Sequence, residues 1–260
     1  MAAAEKIERI IREVDSSMAM EGMPLSSEDR QRIRRCLDTP QALEKTLREL
    51  IQKHTVPEGA VDTSRGPHWE RKYCYPGSPV LINKLNIREP ASLAAAEREI
   101  TSLKLAGAKA RPIQGRLGFA HLRSIHRYLF EDIYSWAGEL REVNIAKGNQ
   151  FCLCQHLQAY GAQVFDSLKE EKFLKGAQDV PQRLAYYLSE INVLHPFREG
   201  NGRSQRLFLE YLAHAAGYSV DFSQISPQEM LIASVDSFAC RYETIHAMFA
   251  RITAPRTTAE

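Results

Sequence analysis

Apolar residues recur at helical spacing along most of this chain, and only residues 139–154 alternate instead. That contrast restricts the fold: nearly everything must pack helix on helix, with room for one short hairpin. Ile7, Ile10, Ile11, Val14 and Met18 define an amphipathic first helix. Ser26 or Ser27, followed by Glu28 and Asp29, opens a second. A hydroxyl there satisfies free backbone N–H groups, and negative charge in the first turn suits the helix dipole. Thr39-Pro40 caps and starts a third, which carries Leu43, Leu47 and Leu50. So small a bundle has a thin core and needs a surface to lie on. Residues 55–71 are rich in turn formers and read as a linker.

From about residue 80 the spacing is helical again. Leu122, Ile125, Leu129 and Ile133 share one face, with Gly138 as a stop. Glu139 to Ala146 alternates, Lys147-Gly148-Asn149 turns, and Gln150-Phe151-Cys152 returns as a short strand. Further helices run through Leu184, Leu188 and Ile191, and through Phe208, Leu212 and Ala215 up to Gly217. A last one spans Pro227 to Ile252. The expected division is a helical segment over 1–54, the linker, a main domain over 72–253 and a tail over 254–260.

Composition removes several alternatives. Lys and Arg (34) nearly balance Asp and Glu (32), which gives no whole-chain signature of nucleic-acid or membrane binding. The opening residues lack the apolar core of a signal peptide, and no apolar run is long enough to span a bilayer. Five scattered cysteines do not make a disulfide framework, so a reducing interior is expected.

Chemistry concentrates in His195-Pro196-Phe197-Arg198-Glu199-Gly200-Asn201-Gly202-Arg203-Ser204-Gln205-Arg206, a loop running into a helix. Its glycines let backbone approach a ligand, and the free N–H groups of the following helix suit an anion. Arg203 and Arg206, three apart, can reach the same anion. Glu199 is a hard oxygen ligand suited to Mg²⁺ held against phosphates. His195 titrates near neutrality and can take a proton from a hydroxyl. Any one of these features alone would read as a turn or a surface charge. Twelve residues carrying all of them read as a phosphate loop with a metal ligand and a base. A helix precedes the Gly-x-Gly, so it is not a dinucleotide fingerprint.

The stretch resembles the signature of the Fic family, His-Pro-Phe-x-(Asp/Glu)-Gly-Asn-Gly-Arg-x-x-Arg, at every specified position. Tyr75-Pro76-Gly77, Leu85-Asn86-Ile87, Ile125-His126 and Trp136-Ala137-Gly138 resemble further landmarks of its toxin-like branch. The resemblance implies an all-α Fic fold with a small β-hairpin flap, and transfer of AMP from ATP to a hydroxyl of a target protein. It makes His195 the base, Phe197 the loop anchor and Glu199 the Mg²⁺ ligand. Gly200, Asn201 and Gly202 would cradle phosphate, with the Asn201 side chain near the α-phosphate. Arg203 would reach the β-phosphate and Arg206 the γ-phosphate. Ile145, Ala146, Lys147, Gly148 and Asn149 would form the target-docking flap, pairing with an extended segment. Relatives modify type II topoisomerase subunits or small GTPases. The former is favoured here, in a bacterial cytosol, with translocation as an effector the alternative.

Ser17-Met18-Ala19-Met20-Glu21-Gly22 resembles the family's inhibitory motif, (Ser/Thr)-x-x-x-Glu-(Gly/Asn). By that resemblance the first three helices form an antitoxin-like segment whose Glu21 pairs with Arg206 and displaces the γ-phosphate. Two other readings stand beside this one: removal of AMP with Glu21 positioning a water, and a non-catalytic binding pair. Cys152-x-Cys154-x-His156 reads as hairpin packing, because zinc pairs have wider spacing and no second pair lies near. Trp69, Trp136, Tyr186 and Tyr187 read as core or interface, and His121, His126, His214 and His246 as packed or exposed helix residues.

Overall fold

The computed structural model describes residues 3–37, 39–57 and 70–256. Trp69 and most of the expected linker lie outside them. Three helices come first: α1 (Ala3–Ala19), α2 (Ser27–Cys36) and α3 (Pro40–His54). The short α4 (Glu70–Tyr73), α5 (Pro90–Ala110) and α6 (Phe119–Phe130) follow, then strands β1 (Ala146–Lys147) and β2 (Asn149–Gln150). Next are α7 (Leu157–Glu170), α8 (Val180–Leu194), α9 (Asn201–Ala215) and β3 (Tyr218–Val220). The last elements are α10 (Pro227–Phe238), α11 (Glu243–Ile252) and β4 (Thr253–Pro255). The result is a mostly helical fold with a two-stranded antiparallel hairpin, and the N-terminal helices precede the main domain.

Helix α5 is buried nearly all round because α1, α2 and α3 lie on it on one side and α6 on another. The thin N-terminal bundle thus finds its surface. Val14 and Met18 of α1 and Ile33 of α2 are almost fully enclosed. Caps form where the sequence places them. Ser26 and Asp29 make a reciprocal capping box, and Thr39 accepts from the Ala42 N–H ahead of Pro40. Charges on the buried helix are all matched by partners, as burial requires. Glu99 accepts from Lys53 at 3.0 Å, and Lys104 pairs with Asp132 at 2.5 Å.

The structure corrects three local expectations. Helix α6 ends at Phe130, well before Gly138, because Glu131 and Asp132 turn back to Lys104 while Tyr134 and Ala137 pack inward. The single helix over 227–252 is two helices. Cys240 takes a left-handed conformation, and Asp236 holds the corner by accepting from Arg241 and Thr244. A second sheet, β3 against β4, pairs Val220 with Thr253 and Tyr218 with Pro255. Ala254 and Pro255 are therefore strand residues rather than tail.

Candidate active site

Helix α8 stops at His195, whose backbone is left-handed (φ 41°, ψ 62°) and whose N–H still bonds to Ile191. Pro196 cannot continue the helix. The chain then crosses to α9 in five residues, and Asn201 closes that crossing. Its side chain accepts from the Phe197 N–H at 2.9 Å and donates to the Phe197 carbonyl at 2.8 Å. The Asn201 side chain, expected near an α-phosphate, thus bonds to the loop's own backbone. Phe197 is fully enclosed and stacks on His126 at 3.8 Å.

His126 reaches the loop a second way. Its Nδ1 accepts from the Gly138 N–H at 2.8 Å, so its Nε2 carries the proton donated to the Glu199 carbonyl at 2.9 Å. Burial pushes its pKa down to about 3, the Glu199 carbonyl opposing and Arg203 adding to the effect. Neutral His126 therefore fixes the peptide that presents the Glu199 carboxyl group.

The two arginines part ways. Arg203 has no exposure and turns inward, donating to Glu97 at 2.6 Å and to Thr101 at 3.3 Å, over the face of Phe130 at 4.7 Å. Tyr134 donates to the other Glu97 oxygen at 2.5 Å. Burial opposes the Arg203 charge, but Glu97, Glu21 and Glu199 more than offset it and raise its pKa. Arg206 points the other way, into a cavity of about 480 Å³. His195, Glu199, Asn201 and Gly202 line the same cavity with Glu21 and Ile145, Ala146, Lys147 and Asn149 of the hairpin. Gly200 and Arg203 lie behind this wall.

Glu21 occupies the mouth of α9. Helix α1 ends in a Schellman motif, with the Gly22 N–H on Ala19 and the Met23 N–H on Met18. Gly22 sits at φ +74°, a conformation that a side chain resists, and this turn aims Glu21 at the loop. Arg206 donates to the Glu21 carboxylate at 2.6 Å, to the Ser17 hydroxyl at 3.0 Å and to the Ser17 carbonyl at 2.8 Å. A methyl group on Gly202 would stand 2.2 Å from the Glu21 carboxylate, so the glycine makes room for an acid at the helix N-terminus. Burial works against the Glu21 charge, yet Arg206, Arg203 and Lys147 hold its pKa below the usual carboxylate value. An anion therefore already fills this site, and it belongs to the chain itself.

His195 stacks on Phe151 at 3.8 Å, nearly parallel. Burial lowers its pKa to about 3, with Lys147 and Arg141 adding to this and the Asn192 carbonyl and Glu21 opposing it. It is neutral at pH 7, and burial takes it away from the near-neutral titration expected from the sequence. Glu199 keeps one third of its side chain exposed; one oxygen accepts from Gly200 at 2.9 Å and lies 3.6 Å from Arg203. Among the described residues no three His, Cys, Asp or Glu side chains gather to hold a metal. A lone carboxylate fits Mg²⁺ that arrives with phosphates as its other ligands.

The family model for the Fic/DOC family matches residues 116–213. The "Probable protein adenylyltransferase Fic" of Escherichia coli is 43% identical over 159 residues, covering 60% of this chain and 78% of that protein. This chain belongs to the Fic/DOC family. Among solved structures, a Fic domain from Bartonella quintana with bound ADP has a TM-score of 0.69 at 30% identity, covering 74% of this chain and 98% of that one. The BepC effector protein of Bartonella tribocorum with bound AMPPNP also has a TM-score of 0.69, at 26% identity over 74% of this chain and all of that one. The signature lies inside the matched stretch, and α1 to α3 lie outside it.

Sequence reasoning missed Glu97, Tyr134 and Arg141, which support this Fic site from outside the signature. His126 and Trp136 read as family landmarks and as packed residues, with no supporting role assigned. Cys152 and Cys154 form the hairpin base: Cys154 donates its N–H to Asn144, and Arg141 donates to the Cys152 carbonyl.

Proposed function

We propose that this Fic protein transfers AMP from ATP to a hydroxyl of a target protein, and that Glu21 holds it off. The chain is a protein adenylyltransferase of the Fic family, and the residue roles and the inhibition are what the proposal adds. Neutral His195 takes the proton of the attacking hydroxyl. The backbone N–H groups around Gly202 and the Arg206 guanidinium receive phosphate oxygens, where preorganised donors act without reorganising. Arg203 contributes charge from behind, and pyrophosphate leaves as the new P–O bond forms. Glu199 would hold Mg²⁺ brought by the nucleotide, which when bound neutralises phosphate charge. The hairpin of Ile145, Ala146, Lys147, Gly148 and Asn149 offers an edge for an extended target segment.

One observation carries the inhibitory part: the Glu21 carboxylate lies 2.6 Å from Arg206 and covers Gly202. It engages the group proposed for the γ-phosphate, and a misplaced triphosphate suppresses transfer without touching His195. The antitoxin-like residues 1–54 then form the inhibitory segment and residues 72–253 the catalytic domain. By resemblance to toxin-like relatives, a type II topoisomerase subunit is the first target to assay, in a bacterial cytosol, with small GTPases and effector delivery next. Among the described residues no helix is long and apolar enough to cross a membrane.

The test is transfer from ATP labelled at the α-phosphate. Glu21→Gly should label target or itself at least about tenfold faster than wild type, the factor that each 1.4 kcal/mol of barrier supplies. Glu21→Gly/His195→Ala should label nothing. Equal rates in folded wild type and Glu21→Gly would remove the inhibitory reading. AMP release from labelled protein by wild type alone would favour the reverse reaction.

A further inference from the structure

Arg141 (1% exposed) and Arg203 are the two largest side chains with almost no exposure, and among the described residues no carboxylate acts on Arg141. Its guanidinium is spent on carbonyl oxygens: His195 at 2.9 Å, Val143 at 2.7 Å, Cys152, and Leu194 at 3.5 Å. Its main-chain N–H adds Pro196 at 2.9 Å. These acceptors fall into two groups. Val143 and Cys152 are the two feet of the hairpin that carries Ile145 to Asn149. Leu194, His195 and Pro196 are the end of α8 that holds the base.

Burying a cation without an anion is costly, so its position must be dictated by geometry that nothing else supplies. A planar fork with five donors can hold several carbonyls in fixed directions at once, which an ammonium or an amide cannot. Two weaker ties run in parallel: the Cys152 N–H donates to Val193 at 2.9 Å, and Phe151 stacks on His195. The Arg141 guanidinium is therefore the one side chain that donates to both hairpin feet and to the His195 carbonyl.

We propose that Arg141 is a positioning residue that fixes the distance between a target hydroxyl held on the hairpin and the imidazole of His195. This rests on the reading of the hairpin as the target-docking flap. Arg141 does not line the cavity that His195 and Arg206 share. From Phe197 onward the phosphate loop is held separately by Asn201, His126 and the Glu97–Arg203 pair. Loss of Arg141 should therefore misplace the acceptor while leaving the nucleotide site built. A misplacement of about 1 Å can cost on the order of a hundredfold in rate.

The experiment uses the full chain with Glu21→Gly and ATP labelled at the α-phosphate, with the Glu21→Gly/His195→Ala protein as acceptor. Two products are counted: label on acceptor and free AMP released to water, which needs no flap. Arg141→Lys keeps the charge and loses the fork. Acceptor labelling should fall at least about tenfold further than AMP release. Affinity for a non-hydrolysable ATP analogue should stay within about twofold. In Arg141→Gly, added guanidinium ion should restore acceptor labelling, and ammonium ion should not.

Equal falls in both products, or no fall in either, would overturn the proposal, as would folded Arg141→Gly that guanidinium does not rescue. Lys147→Pro separates the underlying reading, because it removes a backbone donor from the hairpin. If Lys147→Pro leaves acceptor labelling intact, the flap reading fails. If it abolishes labelling while Arg141→Lys does not, only the present proposal fails.

Discussion

Glu97 and Glu199 show how two carboxylates near one arginine can do different work. Glu97 is buried and satisfies Arg203 at 2.6 Å, whereas Glu199 keeps a third of its surface open towards the cavity. Removing one partner of a buried ion pair leaves an uncompensated charge, a loss of about 3–5 kcal/mol. Glu97→Ala should therefore lower unfolding free energy by that amount in urea titration. Glu199→Ala should change it by less than about 1 kcal/mol, as expected for a partly exposed pair. It should nevertheless abolish transfer. Equal stability losses in the two would contradict this assignment of roles.

Among the elements, α1 joins packing to the proposed inhibition. Its buried face (Ile10, Ile11, Val14 and Met18) holds it on α5, and its last turn delivers Ser17 and Glu21 to Arg206. Glu13 adds a charge contact, 3.1 Å from Lys109. Weakening the face should loosen the delivery. Met18→Ala deletes a fully buried side chain and should cost about 2–5 kcal/mol. Because the lost contacts belong to the docked helix, part of that loss should appear as release of inhibition. Labelling by Met18→Ala should lie between wild type and Glu21→Gly. A destabilised variant with wild-type labelling would show that docking and inhibition are separable.

For the whole molecule, buried neutral histidines set the acid limit. His126 has no exposure, and its pKa is lowered to about 3. In the unfolded chain it titrates near 6.5, so folding favours the neutral form. That stability is complete above about pH 6.5 and is lost as pH falls towards 3. At pH 5 the loss from His126 alone is about 2 kcal/mol. Protonation would also set an Nδ1–H against the Gly138 N–H and release the Glu199 peptide. Urea midpoints measured from pH 8 to pH 4 should fall below about pH 6.5, and His126→Gln should flatten part of that fall. An unchanged profile in that variant would shift the effect to other groups, His195 and His121 among them.

What the sequence determined by itself is local. Periodicity and caps placed α1, α2, α3, α8 and α9, because a Ser, Thr or Pro at a helix start acts through its own neighbours. The run from His195 to Arg206 showed the family, because one short loop carries the base, the glycines and the arginines together. The Ser17 to Gly22 stretch stood out by its resemblance to the family's inhibitory motif, and its glycine sits in a Schellman turn. Only the tertiary structure decided which residues support that loop. Glu97 reaches Arg203 across 106 residues, His126 reaches Glu199 across 73, and Arg141 reaches His195 across 54. None of these pairings leaves a spacing to read. The stop of α6 at Phe130 and the β3–β4 pair have the same origin. Each follows from a partner brought near by packing, and a single chain written in order does not record who its distant neighbours are.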